Sequence, residues 1–414
     1  MSLREDAYGI INCAIEAVMP QQAVQRVLEG RRFTGRVVMV AIGKAAYAMA
    51  SAAVRALDDQ LTKGIVITKY NHAGAAAIPH TRVCEAGHPI PDDAGVRATA
   101  EALDMVTGLE AGDTVLLLIS GGGSALFESP LVPLEELAGI NSQLLASGAD
   151  ITEINTLRKR LSAVKAGRFA QRCQPAKVLS IVLSDVIGDR LDIIASGPAT
   201  ADSSTTEEAL AIVHKYGLVL SHTALEALRT ETPKVVDNVE AHITGSVRQL
   251  CDAACEAARA LGYKTLTLTH TLDCEAREAG SFLGAIGKRY YGVGGKRAIL
   301  AGGETIVHVT GEGLGGRNQE LALSAARQLD GLDHILLFAL GSDGTDGPTD
   351  AAGGMVNGQT AGQLRQKGLD IHTVLQDNDS YHALEAVDGL IMTGPTGTNV
   401  NDLCMLLIDR EDNP

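Results

Sequence analysis

Three glycine-rich turns, with a few charged residues beside them, carry most of the chemistry open to this chain. Ser120-Gly121-Gly122-Gly123-Ser124 directly follows the apolar run VLLLI. In an open parallel sheet ligands sit at the carboxyl ends of the strands, and three glycines let the backbone come close to an anion. A helix starting near Ser124 would add free N–H groups and a positive dipole end. The turn reads either as a cradle for a phosphate or carboxylate or as a flexible connection. It lacks GxxxxGK[ST], so this is not a P-loop kinase. The second turn, Gly311-Glu312-Gly313-Leu314-Gly315-Gly316-Arg317-Asn318, matches GxGxxG. A dinucleotide site would need a ribose acid about 20 residues on, following a second strand. Asp330 and Asp333 fit by count, but both precede the run ILLFAL. An anion gripped by Arg317 in bidentate fashion is the preferred reading. The third turn, Gly341-Ser342-Asp343-Gly344-Thr345-Asp346-Gly347, reaches Asp350 and follows ILLFAL. Its hard carboxylate oxygens suit Mg²⁺, with Asp343 and Asp346 as the candidate ligands. A solvated acidic turn with Asx-type hydrogen bonds is the alternative.

Single charged residues fall at strand ends as well. Lys44 follows VVMVAI and Gly43, at the expected start of a helix, where the dipole opposes a cation. A lysine there is either solvated or reaches inward to hold a phosphoryl group or a substrate carboxylate. Asp185 follows VLSIVL and could act as a base or a metal ligand; Asp189 is second to it. A helix expected over Ile151–Arg172 places Asn155, Arg158, Ser162 and Lys165 on one stripe, which is either a solvated face or a cationic wall against an anionic ligand. Among the 11 histidines no HExxH pair occurs, and His88 is the most arguable site residue.

These residues need a scaffold. Val37 to Ile42, Gly64 to Thr68, Val115 to Ile119 and Val178 to Leu183 are short runs, largely apolar throughout. Such runs suggest strands covered on both faces, and the helical stretches between them argue for a Rossmann-like, doubly wound parallel sheet. The pattern changes around Pro233 to Glu240, which places a domain boundary at 236/237. Beyond it, helices at Ser246–Gly262, Glu275–Tyr290 and Asn318–Leu329 are expected, with strands at Thr265–Thr269, Arg297–Leu300, Thr305–Val309 and Ile335–Leu340. The expectation is a domain over 1–236 and a smaller α/β domain over 237–414.

Composition narrows the partners. The 414 residues carry a net charge of −15, which gives no general attraction to nucleic acid, so any cations for an anionic substrate must be placed locally. The seven cysteines are scattered without zinc-ligand spacing, as in a reduced compartment. Acidic residues interrupt the short apolar stretch at the N-terminus, and no run approaches the roughly 20 apolar residues that span a bilayer. A soluble cytoplasmic protein is expected, without membrane partners and with its oligomeric state open, a homo-oligomer included.

Taken in order, AIGKAA, SGGGSAL, NTLRKRLSAVKAG, LSDVIGD with ASGP, GGET, GEGLGGRNQELAL, GSDGTDGPTDAAG and GPTGTNVNDL resemble the motif series of MOFRL-type glycerate 2-kinases. Some members of that family are labelled hydroxypyruvate reductases. The resemblance runs from about residue 8 to 408. It implies a Rossmann-like N-terminal domain and a smaller C-terminal α/β domain, with the active site in the cleft between them. It also implies transfer of the ATP γ-phosphate to the 2-hydroxyl of D-glycerate, with Mg²⁺. The family's cleft lysine, motif aspartate and GGRNQE arginine fall on Lys44, Asp185 and Arg317. Glu304, Asn318 and Asn399, in GGET, GGRNQE and GTNVNDL, complete the expected substrate or phosphate contacts with Ser120–Ser124, Arg158 and Lys165. Two positions depart from the usual motif: Arg160 stands where it has His, and Ala166 where it has Gly. An NAD(P)H-dependent hydroxypyruvate reductase is the runner-up, and a non-catalytic sensor of sugar acids is the third reading.

Overall fold

The computed structural model describes residues 2–293 and 295–410, so Met1 and Pro414, the outer bounds of the expected domains, lie outside the described residues. The chain forms two compact units. One is Pro20–Thr244; the other joins the residues through Met19 to those from Gly245 onward.

The first unit is built on β1 (Val37–Ile42), β2 (Leu61–Lys69), β3 (Thr81–Ala86), β4 (Thr114–Ile119), β5 (Lys177–Leu183) and β6 (Val239–Gly245). Their order is β3-β2-β1-β4-β5-β6, and β3 through β5 pair in parallel. Every residue of β1 and β4 is buried. Alternation splits β1 between two cores. Val38, Val40 and Ile42 pack with Ala98, Ala102 and Phe169, while Val37, Met39 and Ala41 pack with Val24, Met49 and Ala53. Helices therefore cover both faces, as the uninterrupted apolar runs require. The chain leaves β1 for β2 on one side, and β4 lies on the other. The β1/β4 boundary is thus a topological switch point, where a crevice opens beyond the carboxyl ends of the strands. A third, helical core joins Leu137, Ile140, Leu157, Ile212 and Leu228.

The helix expected over Ile151–Arg172 is broken. It runs from Ile151 to Arg160, and a second one from Arg168 to Cys173. Between them Ala166 and Gly167 turn left-handed, at φ 55° and 78°. The Arg168 guanidinium reaches back and donates to the carbonyls of Lys159 (3.3 Å), Arg160 (3.1 Å) and Ser162 (2.5 Å), which closes the first helix. Asn155, Arg158, Ser162 and Lys165 therefore do not form one helical stripe. At Ala166, where the resembling family carries Gly, the backbone has the conformation that glycine tolerates best.

The second unit holds β7 (Lys264–Leu272), β8 (Gly295–Gly303), β9 (Ile335–Gly341), β10 (Gly353–Asn357), β11 (Leu390–Ile391) and β12 (Asp402–Arg410), in the order β11-β10-β9-β12-β8-β7. The sheet is mixed: only β7 and β8 run parallel among the described pairs. Thr305–Val309, expected as a strand, makes a single bridge, Ile306 to Glu275. The helix Leu3–Ala17 belongs to this unit, not to the N-terminal domain the sequence suggested. Its Ala7, Ile10, Ile11 and Ala14 enter one core with Leu250, Ala254, Phe338 and Leu407. Buried Asp6 fixes it, accepting from Tyr263 Oη at 2.7 Å and facing Lys296 Nζ at 3.4 Å. At the other boundary β6 extends the first sheet beyond residue 237.

Candidate active site

At the β1/β4 switch point two turns are tied together. The Lys44 amide donates to Gly121 O at 2.8 Å. Ser120 Oγ accepts from the Ala45 amide at 3.0 Å and donates to Ile42 O at 3.2 Å. Gly43 has φ 111°, and a Cβ on it would strike the Ser120 backbone. The helix after β1 begins at Ala46, so Lys44 stands in the turn and not in the first helical turn, as the sequence suggested. The helix after the glycine turn is a single turn, Gly123–Leu126, and supplies little of the dipole expected there.

The three glycines make room for different neighbours. A Cβ on Gly121 would overlap the Asp185 carboxylate; one on Gly122 (φ 86°) would lie 3.0 Å from His88 Nε2 and 3.4 Å from Lys44 Cγ; one on Gly123 would lie 2.8 Å from Ala195 Cβ. Lys44, His88 and Asp185 are thereby brought around one bare stretch of backbone. Gly121→Ala must push Asp185 or the turn aside, and since sub-ångström to ångström misplacement costs rate steeply, kcat should fall at least about tenfold. The check is steady-state kinetics beside a thermal melt that stays close to wild type.

The floor under this turn is strained. Ala195, Ser196 and Gly197 are consecutive left-handed residues, at φ 50°, 59° and 65°, a cost of roughly 1–2 kcal/mol for each non-glycine. They are held by the Ala166 amide on Ser196 O (3.0 Å), by the Gly167 amide on Gly197 O (2.7 Å), and by Ser196 Oγ against Ser124 Oγ (3.1 Å).

Basic groups gather around His88. Lys44 is half-buried and makes no side-chain hydrogen bond or ion pair among the described residues. Burial first, then the charges of Lys44, Lys69 and His72, pull the His88 pKa below its ordinary value, which favours the neutral ring. An acidic protein has here placed its cations locally.

Lys165, from the expected cationic wall, and Arg160, the departure from the family motif, are both used inside the fold. Lys165 is fully buried, with Nζ 2.5 Å from Glu128 Oε2 and 3.2 Å from Phe127 O. It therefore presents no free ammonium to a ligand. Arg160, also sealed, donates to Ser204 Oγ (2.7 Å) and Ser204 O (2.8 Å) and lies 3.3 Å from Glu231. Its departure from the family's His is thus absorbed by packing.

In the other unit the helix Arg317–Leu329 opens on a dense cluster. Arg317 is bidentate to Asp402, Nε to Oδ2 at 2.5 Å and Nη2 to Oδ1 at 2.9 Å, and its Nη1 lies 3.1 Å from Glu304. Glu304 also accepts from Asn401 Nδ2 (3.4 Å), and Asn399 Oδ1 accepts from the Asn401 amide (3.3 Å). Asp346 occupies the helix N-terminus, accepting from the Asn318 amide (3.1 Å), Asn318 Nδ2 (3.2 Å) and the Gln319 amide (2.8 Å). Asp343 is half-buried and accepts from the Thr345 amide at 3.0 Å, an Asx turn. Among the described residues no three His, Cys, Asp or Glu side chains are grouped to hold a metal ion. The GxGxxG amides are also occupied: those of Thr310 and Gly311 by Asn378 Oδ1, that of Glu312 by Asp377, and that of Leu314 by Asp379. A pyrophosphate would have to displace all of these, so this loop is no dinucleotide cradle. Asp402 and the 377–379 turn went unrecognised in the sequence. The one available signal for Asp402 was a charge at the head of the buried run LCMLLI.

Burial, reinforced by Asp402, pushes the Asp346 carboxyl up to about 6 from 3.8, against the pull of the two helix amides. The folded state then binds the extra proton between those values. The stabilisation is complete below about pH 4 and is lost as pH rises through about 6. Asp346→Asn should remove this slope. Between pH 4 and 7 the stability of the variant relative to wild type should improve by about 3 kcal/mol in urea titrations.

Two family profiles match the chain: a domain of unknown function, DUF4147, over residues 6–229, and the MOFRL family over residues 297–402. A D-glycerate 2-kinase of Thermotoga maritima is 51% identical over 413 residues, covering 98% of this chain and 99% of the relative. The chain belongs to the MOFRL-type glycerate kinase family. A solved structure titled as glycerate kinase from Thermotoga maritima superposes with a TM-score of 0.94 at 50% identity, over 98% of this chain and 99% of that one. A protein of Agrobacterium vitis named putative hydroxypyruvate reductase is 40% identical over 424 residues, covering 99% of this chain and 95% of that relative. Both family names met in the sequence reading therefore occur among the relatives. Among the described residues no helix is long and apolar enough to cross a membrane.

Proposed function

We propose that this protein transfers the γ-phosphoryl group of ATP to the 2-hydroxyl of D-glycerate, giving 2-phosphoglycerate and ADP. The observation that carries this reading is Lys44, without a side-chain partner among the described residues, against Gly122, with the Asp185 carboxylate against Gly121, at the switch point of a parallel sheet. Phosphoryl transfer asks mainly for positioning and charge stabilisation. Lys44 supplies a fixed cation for the transferring group, and the glycine turn lets that group approach the backbone. Asp185 takes the proton of the attacking hydroxyl as the new O–P bond forms, and neutral His88 is placed to hydrogen-bond the same group.

Arg317 is already shared between Asp402 and Glu304, so its cluster carries more negative than positive charge. Such a cluster suits phosphates that arrive with a cation better than a bare anion. Mg²⁺ commonly takes one or two carboxylates plus phosphate oxygens. Asp343 fits that need, whereas both oxygens of Asp346 are engaged by the helix terminus. When bound, Mg²⁺ would neutralise phosphate charge. Arg317 then organises the carboxylates. Seven free cysteines support a cytoplasmic location.

Hydroxypyruvate reduction would need a nucleotide loop, and the occupied GxGxxG amides withhold one. The test measures ADP release with D-glycerate beside NADH oxidation with hydroxypyruvate, then separates 2- from 3-phosphoglycerate. NADH oxidation, or 3-phosphoglycerate as the main product, overturns the reading.

A further inference from the structure

Arg158 lies in the last turn of the helix Ile151–Arg160 and is half-buried. Its guanidinium makes no hydrogen bond and no ion pair among the described residues. Burial pulls its pKa down, opposed by the charge of Glu128; burial first, and Arg158 after it, lowers that of Lys165 against the pull of Glu128. Three ionisable groups therefore share one region. Glu128 is 1% exposed; its Oε2 pairs with Lys165, and its Oε1 is buried without a hydrogen-bond partner. Glu128 and Lys165 cancel, and Arg158 leaves the cluster with one net positive charge. A largely desolvated, unpaired cation is costly in a folded protein unless something neutralises it.

The cluster hangs on the segment that leaves the glycine turn. Glu128 follows the helical turn Gly123–Leu126 by two residues, and Lys165 Nζ also binds Phe127 O at 3.2 Å. On this side lies the strained 195–197 floor, itself bonded to Ser124.

We propose that Arg158 receives the carboxylate of the acceptor substrate and so selects 2-hydroxy acids over neutral polyols. This rests on the kinase reading and specifies its acceptor site. A planar guanidinium fork matches a carboxylate in bidentate fashion. One surplus charge balances one carboxylate, while Lys44 remains for the phosphoryl group. Lys165, expected from sequence to share this task, is instead consumed by Glu128.

The test compares wild type, Arg158→Ala and Arg158→Lys with D-glycerate and with its neutral amide, glyceramide, at varied ATP. Hydrogen bonds to a charged group predict a KM for glycerate raised roughly 100-fold in Arg158→Ala. The KM for ATP should stay within about threefold, kcat should fall less than KM rises, and the preference for glycerate over glyceramide should shrink by a similar factor. Arg158→Lys should fall between, and it carries the test if the alanine variant does not fold. An unchanged KM for glycerate overturns the proposal. So does a KM that rises for ATP alone, which would make Arg158 a nucleotide-phosphate contact. If wild type releases no ADP with glycerate, the kinase reading fails by itself. Calorimetric binding of lactate to wild type and variant then decides: equal affinities overturn the anchor, and weaker binding to the variant supports it.

Discussion

Replacing Lys44 with Ala should lower kcat for glycerate phosphorylation by about 10²–10³-fold, the scale of removing one preorganised charge from a transition state. The expectation rests on what surrounds this side chain. A surface lysine is solvated and a structural one is paired, but Lys44 is half-buried, lacks an acidic partner among the described residues, and lies against a glycine turn that keeps the backbone bare. After burial, Lys44 acts with Lys69 and His72 in lowering the His88 pKa, so several basic groups gather where an anion would arrive. Because no ion pair is broken, the melting temperature of Lys44→Ala should stay close to wild type, which separates the catalytic loss from unfolding. Turnover above about a tenth of wild type would remove Lys44 from the transfer step.

Arg317→Ala should fail differently, through the fold. Removing one partner of this half-buried pair leaves the other charge without its hydrogen bonds, at a cost of about 1–3 kcal/mol. Here the orphan would be Asp402, its side chain 9% exposed and already held above the ordinary carboxylate range by burial. Urea titration of the full chain should show the transition involving β12 at markedly lower denaturant. Arg317→Met combined with Asp402→Leu should recover much of that stability while activity stays low. If Arg317→Ala alone unfolds like wild type, the bidentate pair is not what holds this end of β12. Activity lost from Arg317→Ala alone would not by itself establish a contact with the phosphoryl group.

How far the sequence could be read follows from where its information lies. β1, β4 and β9 were visible because a strand buried on both faces must be apolar at every position, and nothing else in so short a segment looks like that. β3, TRVCEA, lies at a sheet edge with partly exposed residues and carries no such mark. β10 begins with two glycines, and β11 is two residues long. The break after Arg160 was hidden because Ala166 is an ordinary helix former, and only its positive φ gives the turn away. The glycine turn and Lys44 were legible for the reason the strands were: both sit where a parallel sheet delivers its ligands. The fate of a charge was not. Nothing local tells that Lys165 is spent on Glu128, Asp346 on the helix that begins at Arg317, or Arg317 on a residue 85 positions away. Pairing over such distances is decided by topology, and two arginines of one helix, Arg158 and Arg160, ended with different surroundings for that reason.

The membership of the helix Leu3–Ala17 in the unit completed by Gly245–Arg410 bears on how the chain is made. On the ribosome its apolar face, with Ala7, Ile10 and Ile11, emerges more than two hundred residues before the strands and helix that will cover it. The Pro20–Thr244 unit can meanwhile close its own sheet. An exposed greasy helix waiting on a nascent chain is a natural client for a holdase, and a permutant that begins at Pro20 and carries this helix at its far end would spare the protein that wait.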